Sequence, residues 1–316
     1  MPKIYPWGHD KPYNDYASHL KKQFKSRVQK ISADAGFSCP NRDGFKGRGG
    51  CTYCNNETFK PFYCHPGKNI TQQLEEGIAF FAGKYKTQKY FTYFQSFSNT
   101  YAALDDLQGL YCEALAVEGV TGLVIATRPD CIDEEKLDYL QALAEKYHIV
   151  IEYGLESCSD ATLQRINRGH SFEDSRKALQ MTAGRGIEIG VHLILGLPGE
   201  SSDFMLKQAD ILSGLPVDML KLHQLQIIRG TAMAKEYADT PEYFNLFRLD
   251  DYIQLTADFL ERLHPNIKPE RFVSEVPPDM LIAPKWGRVK NFEINHRIIK
   301  ELKSRKSFQG KFCKGL

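Results

Sequence analysis

The sequence predicts an α/β fold in which a parallel sheet curls toward a barrel or a doubly wound layer. Six segments rich in apolar, β-branched or aromatic residues alternate with segments of helical spacing, and this alternation is typical of βαβ units. Several of the six segments are apolar on both faces, as a covered parallel sheet requires. With 316 residues, the chain is long enough to bury a large core.

The predicted strands follow one another at regular intervals through the middle of the chain. Each is a short run that suits a buried or half-buried strand. In chain order they cover residues 27–33, 89–97, 120–127, 148–155, 187–197 and 217–228.

Predicted helices separate these strands. They cover residues 70–85, 132–147, 174–184 and 201–212, and their apolar positions recur on one face. In the second of them, Asp133 is expected to cap the N-terminus, because a carboxylate there accepts hydrogen bonds from free backbone N–H groups.

Three regions are expected along the chain. Residues 1–24 form a basic N-terminal extension, residues 25–240 hold the strand–helix alternation, and residues 241–316 form a C-terminal extension after a break near Thr240–Pro241. In the last region we expect a helix at about 250–263, an extended piece at 270–277 and a basic helix at about 291–305.

The distribution of charge is uneven. Residues 1–30 carry seven Lys and Arg against two acids, and residues 285–316 carry ten against two, while the whole chain has a net charge of only +2. The middle is therefore acidic. Basic ends are typical of a nucleic-acid contact, and equally of a solvated helix with a lysine-rich face.

Two targeting features are missing from the sequence. No run of about 18 apolar residues is present, and residues 1–16 lack the apolar centre of a signal peptide. We therefore expect a cytoplasmic protein that does not span a membrane. In that compartment thiols stay reduced, so the eight cysteines are expected to be ligands or buried thiols rather than disulfides.

The loop after the first predicted strand holds three of these cysteines. Cys51 and Cys54 form a C-x-x-C pair, and Cys39 stands apart from them across a stretch with four glycines. The loop falls at the carboxyl end of the predicted sheet, where α/β folds place their active sites.

Four interpretations of this loop compete. A zinc site needs a fourth ligand, for which Cys64 and His65 are the candidates at an unusual spacing. A redox pair leaves Cys39 unexplained. Inert buried thiols are expected for the cysteines elsewhere, namely Cys112, Cys131, Cys158 and Cys313. A [4Fe–4S] cluster held by three thiolates leaves one iron open, and bare glycine backbone can wrap closely around it.

The sequence resembles the radical S-adenosylmethionine (radical SAM) superfamily. CTYC matches the end of its usual C-x3-C-x-aromatic-C signature, although the first cysteine is spaced by eleven residues. Further stretches are similar to strand motifs of the branch related to the elongator catalytic subunit and the oxygen-independent coproporphyrinogen oxidases: IATRPDCID, IEYGLES, INRGHS, HLILGLPGES and LKLHQLQIIRGT. The resemblance covers about residues 25–235, and CPNRDG, the long loop and APKWGRVK narrow it to a small bacterial family.

The resemblance implies a fold, two cofactors and a reaction. The fold is a partial (β/α)6 radical SAM barrel with a small C-terminal α+β extension. A [4Fe–4S] cluster is bound by Cys39, Cys51 and Cys54, and S-adenosylmethionine chelates the fourth iron. An electron from a donor such as flavodoxin or ferredoxin then leads to cleavage of S-adenosylmethionine to a 5′-deoxyadenosyl radical.

The resemblance also implies cofactor-binding positions. FQSFSNTYA replaces the Gly-Gly-Glu stretch of the family, which makes its polar residues candidates for the methionyl amino group. Residues at the ends of the later strands are candidates for contacts with the carboxylate, the ribose and the adenine of the cofactor. For Arg128 the alternative is a salt bridge to Asp130. His192, with His223 and Lys221, is expected to line the barrel. The full set is Gln95, Ser96, Asn99, Thr100, Arg128, Glu156, Ser157, His192, Gly196 and Leu197.

Three functions remain open from the sequence. The first is a radical SAM enzyme that modifies the side chain of the wobble uridine of tRNA, with Lys303, Arg305 and Lys306 contacting phosphates. The second is a radical SAM enzyme acting on a small molecule or a protein. The third is a non-catalytic protein that holds a metal or cluster.

Overall fold

The architecture is a curled parallel sheet covered by helices. The computed structural model describes residues 4–65, 67–83, 88–287 and 289–314. Its strands are β1 Arg27–Ala33, β2 Gln88–Phe94, β3 Val120–Thr127, β4 His148–Glu156, β5 Glu188–Leu195, β6 Met219–Gln224, β7 Ile227–Ile228, β8 Lys268–Arg271 and β9 Leu281–Ala283. The predicted α/β class and all six predicted strands are confirmed.

Seven strands form the main sheet, in the order β1-β2-β3-β4-β5-β6-β8, and every neighbouring pair is parallel. β7 and β9 pair separately in an antiparallel ribbon. The seventh strand of the sheet lies in the C-terminal region, at the start of the predicted extended piece. That region therefore extends the barrel sheet rather than standing beside it.

The helices connect and cover these strands. They are α1 Tyr16–Phe24, α2 Ile70–Ala82, α3 Leu104–Ala116, α4 Glu134–Ala144, α5 Asp160–Arg165, α6 Phe172–Thr182, α7 Ser202–Ser213, α8 Ala232–Asp239, α9 Leu249–Arg262 and α10 Asn291–Ser304. Asp133 caps α4 by accepting a hydrogen bond from the Lys136 N–H, as predicted. Residues 84 and 85 of the first predicted helix lie outside the described residues. The sequence pattern did not predict α1, α3, α5 and α8.

The sheet curls far enough for its two edge strands to meet through side chains. Lys30 lies on β1 and Glu270 on β8, and the Lys30 Nζ is 2.7 Å from the Glu270 Oε2. Because these strands stand at opposite ends of the strand order, this contact requires a half-barrel with an interior of its own. The expected partial barrel is therefore confirmed, with one strand more than predicted.

Helix α1 closes the N-terminal end of the barrel interior. Its Tyr16 and Leu20 are buried against Phe91, Val124 and other side chains that point inward from the strands. The Tyr16 hydroxyl also donates a hydrogen bond to Glu188 Oε2 at the start of β5 (2.9 Å). A larger apolar core fills the space between the outer face of the sheet and the helices.

The two basic ends of the chain pack together at this same N-terminal end. The Gln309 side chain accepts a hydrogen bond from the Asn14 backbone N–H (2.9 Å) and donates one to Ile267 O, just before β8 (2.7 Å). Both ends are thus on the side opposite the carboxyl ends of the strands. In the described part of the chain, no helix is long and apolar enough to cross a membrane.

Candidate active site

Three cysteines of the loop after β1 meet at one cavity. Cys39, Cys51 and Cys54, called the cluster cysteines below, all line it, and all three are free thiols. The cavity lies at the carboxyl ends of the strands, where residues just after β2, β3 and β6 also reach it. Parallel strands place their C-terminal loops at one edge, so chemistry distant in sequence converges there.

The cysteine loop is held in one path by hydrogen bonds to the segment after α5. The Thr52 N–H donates to Ile166 O (3.0 Å), and the Asn41 Nδ2 donates to Asn167 O (2.5 Å). In return the Asn167 Nδ2 donates to Gly50 O (2.8 Å). These bonds satisfy the polar backbone that a long loop would otherwise leave unpaired in a buried position.

Gly50 shows why the loop needs bare backbone. Its φ is +80°, in the left-handed region, and an added Cβ would lie 2.7 Å from the Arg42 Nε. Arg42 in turn donates a hydrogen bond from Nη2 to Cys54 O (2.9 Å). A side chain at residue 50 would therefore strain the backbone and displace the arginine that braces the second half of the loop.

The donor set fits a [4Fe–4S] cluster. Burial raises the pKa of the Cys54 thiol to about 11, with Cys51 adding to the effect and Arg42 opposing it. A thiol releases its proton when it becomes a metal ligand, so cluster binding would displace the proton that burial favours on Cys54. Over residues 4–65, 67–83, 88–287 and 289–314, no three His, Cys, Asp or Glu side chains converge on a single metal ion. A cube ligated at three corners needs thiols spaced more widely around a cavity, as they are here.

Arg168 links the cluster cysteines to the end of β4. Its Nη1 lies 3.5 Å from the Cys51 Sγ, its Nη2 donates to Gly154 O (2.6 Å), and the same Nη2 is 3.6 Å from the Glu156 Oε1. The register of β4 against β5 shifts between Gly154 and Glu156, and Glu156 has φ +70°. This irregularity turns Glu156 toward the cavity at a cost in backbone strain.

A buried carboxylate, Glu152, organises the barrel interior below the cluster cysteines. It accepts hydrogen bonds from the Tyr93 hydroxyl (2.8 Å), the Lys221 Nζ (2.6 Å) and the Lys30 Nζ (2.9 Å), and the His192 Nε2 lies at 2.9 Å. Burial by itself raises the pKa of Glu152, but Lys221 and Lys30 outweigh burial and hold the pKa well below its usual value. Glu152 is thus an anion at neutral pH.

The two lysines of this group have different surroundings. Burial lowers the pKa of Lys221 to about 8, because Glu152 and Glu270 compensate the burial only in part. Lys30 is partly buried, with 17% of its side chain exposed, and the same two carboxylates outweigh burial and raise its pKa. We call Lys30, Tyr93, Glu152, Lys221 and Glu270 the interior charge network.

The structure brings part of the predicted cofactor set to the cavity. Alongside the cluster cysteines, the predicted residues that line it are Gln95, Arg128, Glu156 and His192. Arg128 forms a two-pronged ion pair with Asp130, with Nε and Nη2 at 2.8 and 2.9 Å from the two carboxylate oxygens. The salt bridge that the sequence left as the alternative for Arg128 is therefore present.

The other predicted positions lie outside the residues that line this cavity. Asn99 donates to Phe94 O (3.0 Å) and Ala126 O (2.8 Å), which fixes the loop after β2. Two hydroxyls are also engaged within the protein, since Thr100 donates to Cys131 O and Ser157 donates to Glu200 Oε1. Ser96 and Leu197 are buried, and Gly196 faces the Phe247 ring.

Several cavity residues received no role from the sequence pattern. Glu152 carried a signal, since a carboxylate stands in the otherwise apolar run HIVIEYGL. Arg168 stood inside a recognised motif, INRGHS, without an assigned task. Arg42, Tyr93 and Arg271 gave no signal, because nothing in their local pattern shows that they face a common space.

Two family models match the chain. One, described as the radical SAM superfamily, matches residues 44–206, and one described as the radical SAM C-terminal domain matches residues 217–304. The chain therefore belongs to the radical SAM superfamily. It is an enzyme that uses a [4Fe–4S] cluster and S-adenosylmethionine, and the bound cluster supplies the electron that cleaves S-adenosylmethionine.

Within the superfamily the chain is similar along nearly its whole length to YtqA of Bacillus subtilis, with 36% identity over 97% of this chain and 94% of YtqA. MJ0486 of Methanocaldococcus jannaschii is 36% identical over 94% of this chain and 91% of its own. The solved structure of Elp3 from Methanocaldococcus infernus shares the fold, with a TM-score of 0.66 and 17% identity over 89% of this chain and 64% of that chain.

Proposed function

We propose that this radical SAM enzyme modifies the side chain of the wobble uridine of tRNA. The observation that carries the proposal is a set of relatives named tRNA uridine(34) acetyltransferase. The one from Methanocaldococcus infernus is 26% identical over 51% of this chain and 30% of its own length. We assign uridine recognition to the region that these relatives share with this chain. We do not propose that this chain transfers an acetyl group.

The cavity has the form that a base taken out of its stack requires. Enzymes that act on a base receive it in a pocket where aromatic and apolar side chains contact its faces. Tyr53, Phe97 and Ile194 line the cavity together with the polar ends of Gln95 and Gln226. The cluster cysteines stand at one side of this pocket, so a base in it would lie next to the site of radical formation.

We assign the contacts with neighbouring nucleotides to a hairpin of the cysteine loop, called the rim below. A bridge between Asp43 and Arg48 folds residues 43–48 into a small hairpin that projects from the cysteine loop. Phe45 at its tip is 76% exposed and lies 6.3 Å from the Tyr101 ring, between centroids. An exposed aromatic ring beside an exposed arginine is typical of single-stranded RNA contacts.

The basic tail lies on the side of the barrel opposite the cavity. Lys303, Arg305 and Lys306 lie at the N-terminal end of the barrel, where the chain ends pack together, and Arg305 is engaged with Glu301 and Asp258. We therefore assign them contacts with phosphates away from the nucleotide whose base enters the cavity. In this proposal the tail contacts other parts of the tRNA body.

A cytoplasmic location and an electron donor such as flavodoxin or ferredoxin accompany this proposal. tRNA is modified where it is used, and the cluster needs a one-electron reductant.

The proposal is tested by the nucleosides of tRNA. Tracing wobble uridines by liquid chromatography and mass spectrometry in a deletion strain should show loss of one modified form and accumulation of its precursor. Adding reconstituted enzyme, S-adenosylmethionine and dithionite to that tRNA should restore the form and release 5′-deoxyadenosine, whereas the Cys51→Ala enzyme should not. An unchanged nucleoside profile in the deletion strain would exclude this substrate.

A second experiment separates the rim from the tail. Phe45→Ala and Arg48→Ala together should weaken binding of an anticodon stem-loop, since stacking alone contributes roughly 1–3 kcal/mol per base. Lys303→Ala with Lys306→Ala should leave stem-loop binding unchanged and weaken only whole tRNA, with a smaller salt dependence. Equal losses of stem-loop affinity in both double variants would contradict the rim assignment.

A further inference from the structure

A β-bulge in β8 brings an arginine into the barrel interior. Leu220 pairs with Pro269, but the next residue, Lys221, pairs with Arg271, so Glu270 is an extra residue in β8. In a regular strand, neighbouring side chains point to opposite faces. Here Glu270 reaches Lys30 in the interior and Arg271 lines the cavity. Bulges beside active sites commonly re-aim a side chain in this way.

Arg271 differs from the other cavity arginines in its surroundings. The other three cavity arginines are engaged: Arg42 with Cys54 O, Arg128 with Asp130, and Arg168 with Gly154 O. Among the described residues, the Arg271 guanidinium has neither a hydrogen bond nor an ion pair, and Glu270 acts on it only at longer range. An arginine side chain that is partly withdrawn from water and forms no close ion pair has lost hydration that a bound anion would replace.

His223 provides a second open contact beside it. Its Nε2 is buried and lacks a hydrogen-bond partner in the structure, and its ring centroid lies 5.4 Å from that of His192. Burial, assisted by the nearby His192 and Arg271, holds the pKa of His223 well below its usual value. His223 is thus a neutral imidazole whose free nitrogen is available to a ligand in the cavity.

The charges of the interior do not balance. Lys30, Lys221 and Arg271 are three cations, and they face two carboxylates, Glu152 and Glu270. One positive charge is left uncompensated in a half-buried space. A single negative charge on a ligand would neutralise it, and a carboxylate matches the planar, forked geometry of an arginine side chain.

This positive site is separate from the cluster cysteines. The cations that act on Cys54 are Arg42 and Arg168. Arg271 instead acts on groups of the interior, namely Tyr93, Lys221, His223 and Glu270. Arg271 pairs with Lys221 within the sheet, whereas the cysteines stand in the loop beyond the end of β1, so a ligand group at Arg271 lies at the level of the strands.

We propose that Arg271 and His223 bind a carboxylate of the substrate, so that the group to be modified carries, or stands beside, an acidic substituent. The inference rests on the proposed function in one respect, that the cavity receives the reacting part of the substrate. It names the chemical class of that part and applies to a nucleoside or to another substrate.

The test compares acids with their neutral esters. The probes are 5-carboxymethyluridine and N-acetylglycine, each beside its methyl ester, titrated calorimetrically into the reconstituted enzyme with S-adenosylmethionine bound. Wild type should bind each acid roughly tenfold or more tightly than its ester. Arg271→Gln should remove that preference and leave ester binding unchanged, and Arg271→Lys should restore part of it. Arg248→Gln, at an exposed arginine before α9, is the matched control.

Each outcome decides one statement. If neither acid is preferred by wild type, the carboxylate site is refuted, while the tRNA nucleoside profile still decides the proposed function. If N-acetylglycine shows the Arg271-dependent preference and 5-carboxymethyluridine does not, the carboxylate site stands and uridine is refuted as its carrier. If Arg271→Gln weakens binding of S-adenosylmethionine itself by the same factor, Arg271 serves the cofactor and the inference is overturned.

Discussion

Replacing Glu152 with Gln tests whether the interior charge network stabilises the fold as the geometry implies. The substitution keeps the size of the side chain and removes its charge. Glu152 accepts hydrogen bonds from Lys221 at 2.6 Å and Lys30 at 2.9 Å and is fully buried. A neutral amide in place of this carboxylate would leave both ammonium groups with less compensation in a space that water reaches poorly.

The size of the effect follows from what remains after the change. Lys30 keeps Glu270 at 2.7 Å, but Lys221 keeps only the Tyr93 hydroxyl at 3.1 Å and Glu270 at 3.7 Å. Removing one partner of a buried ion pair costs about 3–5 kcal/mol of stability. Because Glu270 still compensates part of the charge, we expect a loss of about 3 kcal/mol in the free energy of unfolding.

The assay is urea denaturation of the cluster-free protein, followed by circular dichroism. Glu118→Gln, at an exposed acid between α3 and β3, serves as the control and should change the free energy by less than about 0.5 kcal/mol. The double variant Glu152→Gln, Lys221→Met should lose less than the sum of its single variants, because it removes the cation that the first change leaves exposed. A loss below about 1 kcal/mol for Glu152→Gln, with an unchanged denaturant slope, would refute this account of the network.

Three further outcomes are expected. Replacing any one of the cluster cysteines with Ala should abolish the visible absorbance of the cluster and the release of 5′-deoxyadenosine. Cys64→Ala should keep both, because the Cys64 Sγ donates to Ser32 O outside the cavity. A cluster-free Cys64→Ala protein would contradict this prediction. Burial raises the pKa of Glu200 from 4.5 to about 7, so the wild type should lose up to about 3 kcal/mol of stability as the pH rises from 4.5 to 7. Glu200→Gln should lose less between about pH 5 and 8 in denaturation curves, and identical pH profiles would refute the assignment. Gly50→Ala should lower the free energy of unfolding by about 1–2 kcal/mol and reduce the iron content. Gly109→Ala, in α3 with open space around it, should instead stabilise the protein by about 0.5–1 kcal/mol. Equal shifts of the melting temperature in the two variants would rule out strain at residue 50.

The strands were predictable because their signal is local. A buried parallel strand must be apolar on both faces, and the run at residues 120–127 matches β3 residue for residue. The edge strand β1 also has its predicted bounds, 27–33, although several of its residues are polar and partly exposed. Helices were predictable where apolar residues recur on one face, as in α2 and α7. Helix α1 was not predicted, although Asp15 caps its N-terminus, because only Tyr16 and Leu20 of its residues are buried, against the end of the barrel.

The site was predictable only where its residues lie close together in the sequence, within one motif. The cluster cysteines stand in one loop, so their spacing and glycines indicate a cluster directly. The polar stretch after β2 was a weaker guide, since Asn99 and Thr100 use their hydrogen bonds on neighbouring backbone. A sequence shows which groups can bind a cofactor, but it does not show which of them the loop itself already uses.

The sequence by itself determined the fold class and the superfamily, and it predicted the three thiols that line the cavity, because periodicity and motif spacing are properties of contiguous residues. The tertiary structure alone decided that the basic tail lies opposite the cavity, that Glu152 binds two lysines, and that Arg271 lines the cavity without an ion pair to any described residue. Lys30, Glu152, Lys221 and Arg271 come from four strands of one curled sheet. The interaction energies of these charged groups depend on distances of a few ångströms across the barrel. Strand register, sheet curvature and a single bulged residue set those distances, and no local sequence pattern predicts them.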